Sequence, residues 1–310
     1  MRQEIFSILS LVATVIVLQQ PLSAQRLQIG KEPGVEVPEV TAGPGWKTCV
    51  NCQNAGHVKA AREKYKVDGH AFNPRDISGM WTNAADTPTG GYGGTFLDFK
   101  DVPPMTPYGK QLWEATQAVQ TRPEIPPMNG GEGSKDPMLH CDPLGYPRSF
   151  TYHYGYELIT LPDRVLQFFE WGGYHRTIWT DGRKVPDDPP QPRWYGYSVG
   201  HWEGDTFIVE STGFDDRSWL DQDRRNMQRG MPHSDQMKLV ERYKRTAYDT
   251  IELELTIIDP KVYTTPWVIH SKQELRPGTE ISEYYCVPSD SEQYNRELTE
   301  GKHDDSASKN

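Results

Sequence analysis

The sequence predicts a mainly β protein, in which an antiparallel meander closes into a barrel or a sandwich, with one short helix near residues 106–118. From Phe150 onward, short runs rich in aromatic and β-branched residues alternate with turn residues. Within the run Ile251–Ile258, apolar and polar side chains alternate, which gives a strand one dry face and one wet face. No strand–helix–strand rhythm is visible, so the sequence argues against a parallel sheet.

Ten strands are expected, and closure of the sheet would remove their exposed edges. The helix is placed at Thr106-Pro107 because Thr caps free backbone N–H groups and Pro lacks the N–H that the first helical position leaves unpaired. The expected strands are residues 77–83, 150–161, 165–171, 174–180, 195–202, 206–213, 237–246, 251–258, 268–275 and 281–287.

The N-terminal residues 1–24 have the pattern of a cleavable signal peptide. An apolar run of about 14 residues, too short to span a bilayer, ends in Pro-Leu-Ser-Ala. We expect three parts after the cleavage site: an extension over 25–75 that carries a Cys-x-x-Cys pair, a β-rich domain over 76–288, and a disordered tail over 289–310. This organisation predicts a periplasmic or secreted protein without a stable membrane anchor.

Charge and cysteine usage narrow the function further. A net charge of −10 argues against nucleic acid as a partner, because an acidic surface repels phosphate backbones. In an oxidising compartment we expect Cys141 and Cys286 to form a disulfide that closes the strand-rich region, two buried free thiols being the alternative.

The pair Cys49 and Cys52, with His57 nearby, offers soft ligands and is a weak candidate for a zinc site. Gln53 follows the second cysteine where haem attachment needs a histidine, so haem is excluded. A local disulfide is the preferred interpretation, and a redox-active pair is a third one. The sequence predicts no cofactor.

Several motifs resemble those of an uncharacterised family of exported proteins from environmental bacteria, which implies a secreted or periplasmic domain and no particular activity. Gly79-Met80-Trp81 is in addition similar to the opening of lipocalin-like (calycin) barrels, which implies a calycin-like barrel. The family motifs include CDPLGYPR from Cys141, IWTDGR from Ile178, WYGYSVG from Trp194, WEGDT from Trp202, and PHS from Pro232.

Four residues are candidates for acid–base chemistry. His233 lies in a predicted loop, and Asp215 and Asp216 lie in the same long loop, where a histidine beside carboxylates can act as a base. The alternative is that these aspartates cap turns and that His233 bonds a backbone carbonyl. Glu241 falls on the inner face of its strand, either as an acid–base or ligand-orienting group or in a buried pair with Arg176 or Arg245.

Aromatic side chains with polar tips are candidates for a ligand-binding surface, although most of them are expected to form the core. Trp194 and Tyr195 follow a Pro-rich loop, Trp219 lies in a polar loop, and His175 shares a strand face with Trp179; these five are the ligand-binding candidates.

Two functions remain open from the sequence. The first is an exported barrel protein that binds a small apolar or aromatic ligand or a glycan. The second is a periplasmic hydrolase, lyase or isomerase that uses His233 with Asp215, Asp216 or Glu241 as acid and base. Whether the chain is an enzyme, and its oligomeric state, are left undecided.

Overall fold

The structure is a computed structural model. It describes residues 62–84, 101–121, 123, 127, 133–152, 154–223, 225–226, 228–289 and 291–292. All of these belong to one compact unit, Thr48–Asn310, and the other unit, Met1–Lys47, lies outside the described residues. The predicted signal peptide, the candidates Cys49, Cys52 and His57, and residues 293–310 of the predicted tail also lie outside them.

Nine strands form a closed barrel, which confirms the predicted fold class. Around the barrel the order is β1-β11-β10-β9-β6-β5-β4-β3-β2, and β7 and β8 form a separate two-stranded sheet. The strands are β1 (Gly79–Asn83), β2 (Tyr156–Thr160), β3 (Arg164–Phe169), β4 (His175–Trp179), β5 (Tyr197–Glu203), β6 (Thr206–Thr212), β7 (Trp219–Gln222), β8 (Gly230–Pro232), β9 (Lys238–Ala247), β10 (Thr250–Ile258) and β11 (Trp267–Leu275).

The predicted alternation is present in the barrel strands. In β10, Ile251, Leu253, Leu255 and Ile257 are all buried, while the residues between them are exposed or partly exposed. A strand whose side chains point alternately to the two faces can bury one set only if the sheet has an interior. The core therefore lies inside the barrel.

One strand pair departs from the expected antiparallel pattern. β4 and β5 run parallel and are paired at only two positions, Ile178 with Ser198 and Trp179 with Val199. A parallel pair needs a crossover rather than a hairpin, and residues 180–196 supply it. The sheet is otherwise antiparallel, as predicted, and this one pair interrupts the meander.

The last predicted strand, over residues 281–287, was wrong. β11 pairs with β10 on one side and with β1 on the other, so no edge is left for a further strand. The segment predicted as a strand over 281–287 contains only an isolated bridge, between Tyr284 and Trp171. Residues 288–289 and 291–292, at the start of the predicted tail, are helical.

The predicted helix is α1 (Pro107–Ala115), and Thr106 caps it by accepting a hydrogen bond from the Gly109 amide at 3.0 Å. A second helix, α2 (Arg148–Thr151), occupies the start of the predicted strand over 150–161. There, Phe150 packs against Tyr156 and Tyr243 with ring centroids 4.8 and 6.2 Å away. No helix in the described part of the chain is long and apolar enough to cross a membrane.

The predicted disulfide between Cys141 and Cys286 is present, with the Cα atoms 5.3 Å apart. It ties the residue that follows a 3-10 helix, Pro137–His140, to the segment that follows the barrel. Because the two cysteines are 145 positions apart, the bond closes a loop that contains most of the barrel.

Candidate functional site

The inward-facing Glu241 forms a buried ion pair with Arg176, one of the two partners that the sequence suggested. Arg176 Nη1 and Nη2 each donate to one carboxylate oxygen at 2.8 Å. The Tyr243 hydroxyl donates to Glu241 Oε1 at 2.6 Å, and the Tyr146 hydroxyl donates to the same oxygen. The side chains of Arg176 and Glu241 are 1% and 0% exposed, so the pair is enclosed.

The network extends from Arg176 to neighbouring strands. Its Nε donates to Gln167 Oε1 at 2.6 Å, and its Nη1 lies 3.4 Å from Ser198 Oγ. Burial lowers the pKa of Arg176, but the opposing effect of the Glu241 charge and of the surrounding tyrosines prevails, so the net shift is upward. The Arg176 guanidinium therefore stays charged, and with Trp81 and Phe207 also fully buried, the interior is a packed core.

A concavity lies at the parallel pair, where β4 and β5 separate beyond their two paired positions. It is a groove of about 820 Å³, open to solvent and lined by β4, β5, the crossover and the start of the 215–217 turn. The crossover contains several prolines, of which Pro186, Pro190 and Pro192 line the groove. We call this concavity the crossover groove.

Four of the five ligand-binding candidates line the crossover groove: His175, Trp179, Trp194 and Tyr195. His175 is exposed and Trp179 and Trp194 are partly exposed, whereas Tyr195 is 9% exposed and its hydroxyl lies 2.8 Å from Ser149 Oγ. Trp219, the fifth candidate, is not exposed as its polar loop suggested. It lies in β7, is 7% exposed and packs against Gly230, where a side chain would collide with its ring.

Arginines stand over three of the aromatic rings in the groove. The guanidinium carbon of Arg183 lies 3.7 Å from the Trp179 ring centre, that of Arg193 lies 4.0 Å from Tyr197, and that of Arg217 lies 4.5 Å from Trp194. A cation over a ring face is attracted by the electron-rich centre of the ring. These contacts hold the three guanidinium groups close to the aromatic rings of the groove.

Two of the three arginines are also held by an aspartate two residues earlier. Arg183 Nε and Nη2 donate to Asp181. Arg217 Nε and Nη2 donate to Asp215 at 2.9 and 2.6 Å. In both cases the arginine's own backbone N–H donates to the aspartate as well, and the hydrogen bond from the arginine side chain holds the pKa of each aspartate below its usual value.

Of the acid–base candidates, His233 and Asp215 are connected through Ser218, whose hydroxyl lies 3.2 Å from the Asp215 carbonyl oxygen, whereas Glu241 belongs to the Arg176 network. His233 is 1% exposed; its Nε2 lies 2.8 Å from Ser218 Oγ and its Nδ1 lies 3.1 Å from the Ser234 carbonyl oxygen. Asp215 binds Arg217 at the groove, Asp216 is exposed, and Glu241 binds Arg176 inside the barrel. Joint action of His233 with these carboxylates stays a prediction.

Burial lowers the pKa of His233, although its bond to the Ser234 carbonyl and the charges of Asp259, Asp216 and Asp215 act in the opposite direction. The ring is therefore neutral near pH 7, and with Nδ1–H directed at the carbonyl, Nε2 can accept a hydrogen bond from the Ser218 hydroxyl. Across the described ranges, no group of three or more His, Cys, Asp or Glu side chains is arranged to hold a metal ion.

Comparisons with protein-family models, with curated proteins and with solved structures each find no match. The resemblances to an exported bacterial family and to lipocalin-like barrels therefore remain expectations from the motifs.

Sequence reasoning missed the cationic side of the groove. Lys184, Arg193 and the two arginines of the Asp-x-Arg turns were not among the candidates, although all four line the groove. The repeated spacing in Asp181-Gly182-Arg183 and Asp215-Asp216-Arg217 is the signal that could have drawn attention to them. Arg183 lies over Trp179 and Arg217 lies over Trp194, and both tryptophans were candidates.

Proposed function

We propose that this protein is an exported binding protein that holds a small ligand with a flat ring, a glycan or an aromatic compound, in the crossover groove. The observation that carries the proposal is the convergence of His175, Trp179, Trp194 and Tyr195 on one open concavity. These residues come from a strand and from the end of the crossover, and they meet because β4 and β5 are neighbours.

The size and chemistry of the groove support this proposal. Its volume of about 820 Å³ lies within the range of roughly 300–1,000 Å³ that is typical of small-molecule sites. Aromatic rings with polar edges suit the flat faces of sugars and aromatic compounds. Export is supported by the N-terminal sequence pattern and by the Cys141–Cys286 disulfide, which is compatible with an oxidising compartment.

The packed interior supports a site outside the barrel. Small barrels are either filled by side chains or hold a ligand inside. Here Arg176, Glu241 and Gln167 are buried and bonded to one another in the interior, so a ligand there would have to displace a buried ion pair. The groove needs no such displacement.

The proposal is tested by isothermal titration calorimetry of the mature protein with panels of oligosaccharides and of small aromatic compounds. Native mass spectrometry of protein purified from its own periplasm supplies first leads for the panels. We expect at least one ligand to bind, and Trp194→Ala to weaken it by up to about tenfold, because a stacked aromatic pair contributes about 0.5–1.5 kcal/mol beyond its buried area.

The matched control is Trp202→Ala. Trp202 is also partly exposed and also has an arginine over its ring, Arg75 at 5.2 Å, but it is not among the residues that line the groove. Equal loss of affinity in the two variants, or a ligand whose binding ignores Trp194, would refute the groove as the site.

A further inference from the structure

The crossover groove is cationic although the chain as a whole is acidic. Four exposed cationic side chains line it, Arg183, Lys184, Arg193 and Arg217, whereas Asp215 is the one carboxylate among the described residues that line it. On a chain of net charge −10, such a local concentration of positive charge attracts anions and repels cations. The groove therefore carries positive charge, whereas the net charge of the chain is negative.

Two of these charges are not compensated. Arg183 and Arg217 are paired with Asp181 and Asp215. Within the part of the chain that the structure describes, neither Lys184 nor Arg193 has a carboxylate within salt-bridge distance, and Arg193 is held only over the Tyr197 ring. A negatively charged group on a ligand could form ion pairs with both Lys184 and Arg193.

The two paired arginines still offer hydrogen-bond donors. Their aspartates occupy Nε and Nη2, and neither Nη1 group makes a hydrogen bond within the described ranges. Because each guanidinium is fixed by its aspartate and by a tryptophan ring, its free edge is oriented before a ligand arrives. Fixed donors lose little conformational entropy on binding, and guanidinium edges match carboxylates in geometry.

Resting on the proposed binding function, we infer that the crossover groove selects small organic anions that carry a carboxylate on or near a flat ring. The carboxylate meets Lys184 and Arg193 and the free edges of the paired arginines, and the ring lies against the aromatic side chains. Acidic sugars and aromatic carboxylic acids share this chemistry, and the arms of the experiment separate them.

The experiment compares each acid with a neutral isostere by isothermal titration calorimetry at low salt. One arm uses an oligogalacturonate and its methyl ester, and the second uses 4-hydroxybenzoate and 4-hydroxybenzyl alcohol. We expect the acid in at least one arm to bind about tenfold or more tightly than its neutral partner, because a hydrogen bond to a charged group contributes about 1.5–3 kcal/mol. Affinity should fall as salt is added.

The variant pair is Lys184→Gln/Arg193→Gln against Arg242→Gln/Lys244→Gln. The second pair removes the same charge from exposed positions on β9 that do not line the groove. We expect the first variant to lose the preference for the acid and to keep the affinity for the neutral compound, and the second to behave as the parent protein.

The experiment distinguishes failure of this inference from failure of the proposed binding function. Neutral and acidic compounds that bind equally well would overturn the inference and leave the proposed function standing. No binding in any arm or panel would overturn both. Inorganic phosphate that binds as tightly as the ring-bearing acids would overturn the requirement for a ring and a carboxylate.

Discussion

Two arginine–carboxylate pairs in this molecule have the same chemistry and opposite surroundings. Arg176 and Glu241 lie inside the barrel with side chains 1% and 0% exposed, whereas Arg217 and Asp215 lie at the groove with side chains 64% and 9% exposed. Both arginines use two nitrogens on one carboxylate. The two arginines differ in whether the guanidinium donors that do not bind the carboxylate have other hydrogen-bond partners.

Inside the barrel, Arg176 also reaches Gln167, Ser198 and the two tyrosine hydroxyls, so its donors are engaged. At the groove, Arg217 Nη1 makes no hydrogen bond to any residue that the structure describes, and the side chain faces solvent. An enclosed, saturated pair specifies a packed core, while an open and oriented one is available to a ligand. Arg176 thus has a structural role, whereas Arg217 has the exposure that the proposed binding role requires.

The largest expected effect is on stability, from Arg176→Gln. This change leaves the Glu241 carboxylate buried without its counter-ion, which costs about 3–5 kcal/mol in the free energy of unfolding. Urea denaturation followed by tryptophan fluorescence measures it. Replacement of both partners, Arg176→Met/Glu241→Leu, should recover most of the loss; a single variant as stable as the parent would contradict the buried pair.

A smaller effect is expected on binding, from Arg183→Gln compared with Arg164→Gln. Both arginines stack on Trp179, at 3.7 and 4.1 Å, and each is paired with a neighbouring aspartate, but only Arg183 lines the groove. We expect Arg183→Gln to weaken a carboxylate ligand about tenfold and Arg164→Gln to weaken it by much less. Equal losses would mean that the stack on Trp179 matters and the charge in the groove does not.

The pH dependence of stability reports on the buried His233. Its folded-state pKa is lowered by burial, while the unfolded value is about 6.5, so the unfolded chain binds the proton more readily. The contribution is complete above about pH 6.5 and is lost as the pH falls below it, by about 1.4 kcal/mol for each unit by which the folded pKa is lowered. Denaturation midpoints between pH 7.5 and pH 5 should fall in the parent protein and stay flatter in His233→Asn.

The smallest effect is expected from Arg217→Gln. Because this arginine is largely exposed, solvent screens its pair with Asp215, and the pair should contribute little to the free energy of unfolding. The same denaturation assay as for Arg176→Gln gives the value. A loss as large as that of the interior variant would abolish the distinction between the two pairs.

Much of the barrel could be predicted from the sequence because strand alternation is local. The parity of positions along β9 placed Glu241 on the inner face, and Arg176 was one of two arginines, with Arg245, suggested as its partner; the structure contains the pair with Arg176. The strands β7 and β8 were missed, since they have only four and three residues and since β7 buries the polar side chains of Asp221 and Gln222.

The groove could be predicted only in part. The aromatic candidates could be identified because residue type is read directly from the sequence. Their proximity depends on the parallel pairing of β4 with β5, which no local sequence pattern predicts. The arginines were missed because their role depends on the path of the crossover, a segment without periodicity. Trp219 was wrongly expected to be exposed, because the polar residues around it in the sequence predicted a loop, whereas it lies in the buried strand β7.

The most direct test of the central claim, that ligand binds at the crossover groove and not inside the barrel, is fluorine NMR of protein labelled with 5-fluorotryptophan. Trp179 and Trp194 lie in the groove, whereas Trp81 and Trp267 are 0% and 1% exposed in the core. Single Trp→Phe variants assign the resonances. We expect a bound ligand to shift the signals of Trp179 and Trp194 and to leave those of Trp81 and Trp267 in place; shifts confined to the two core tryptophans would contradict the account.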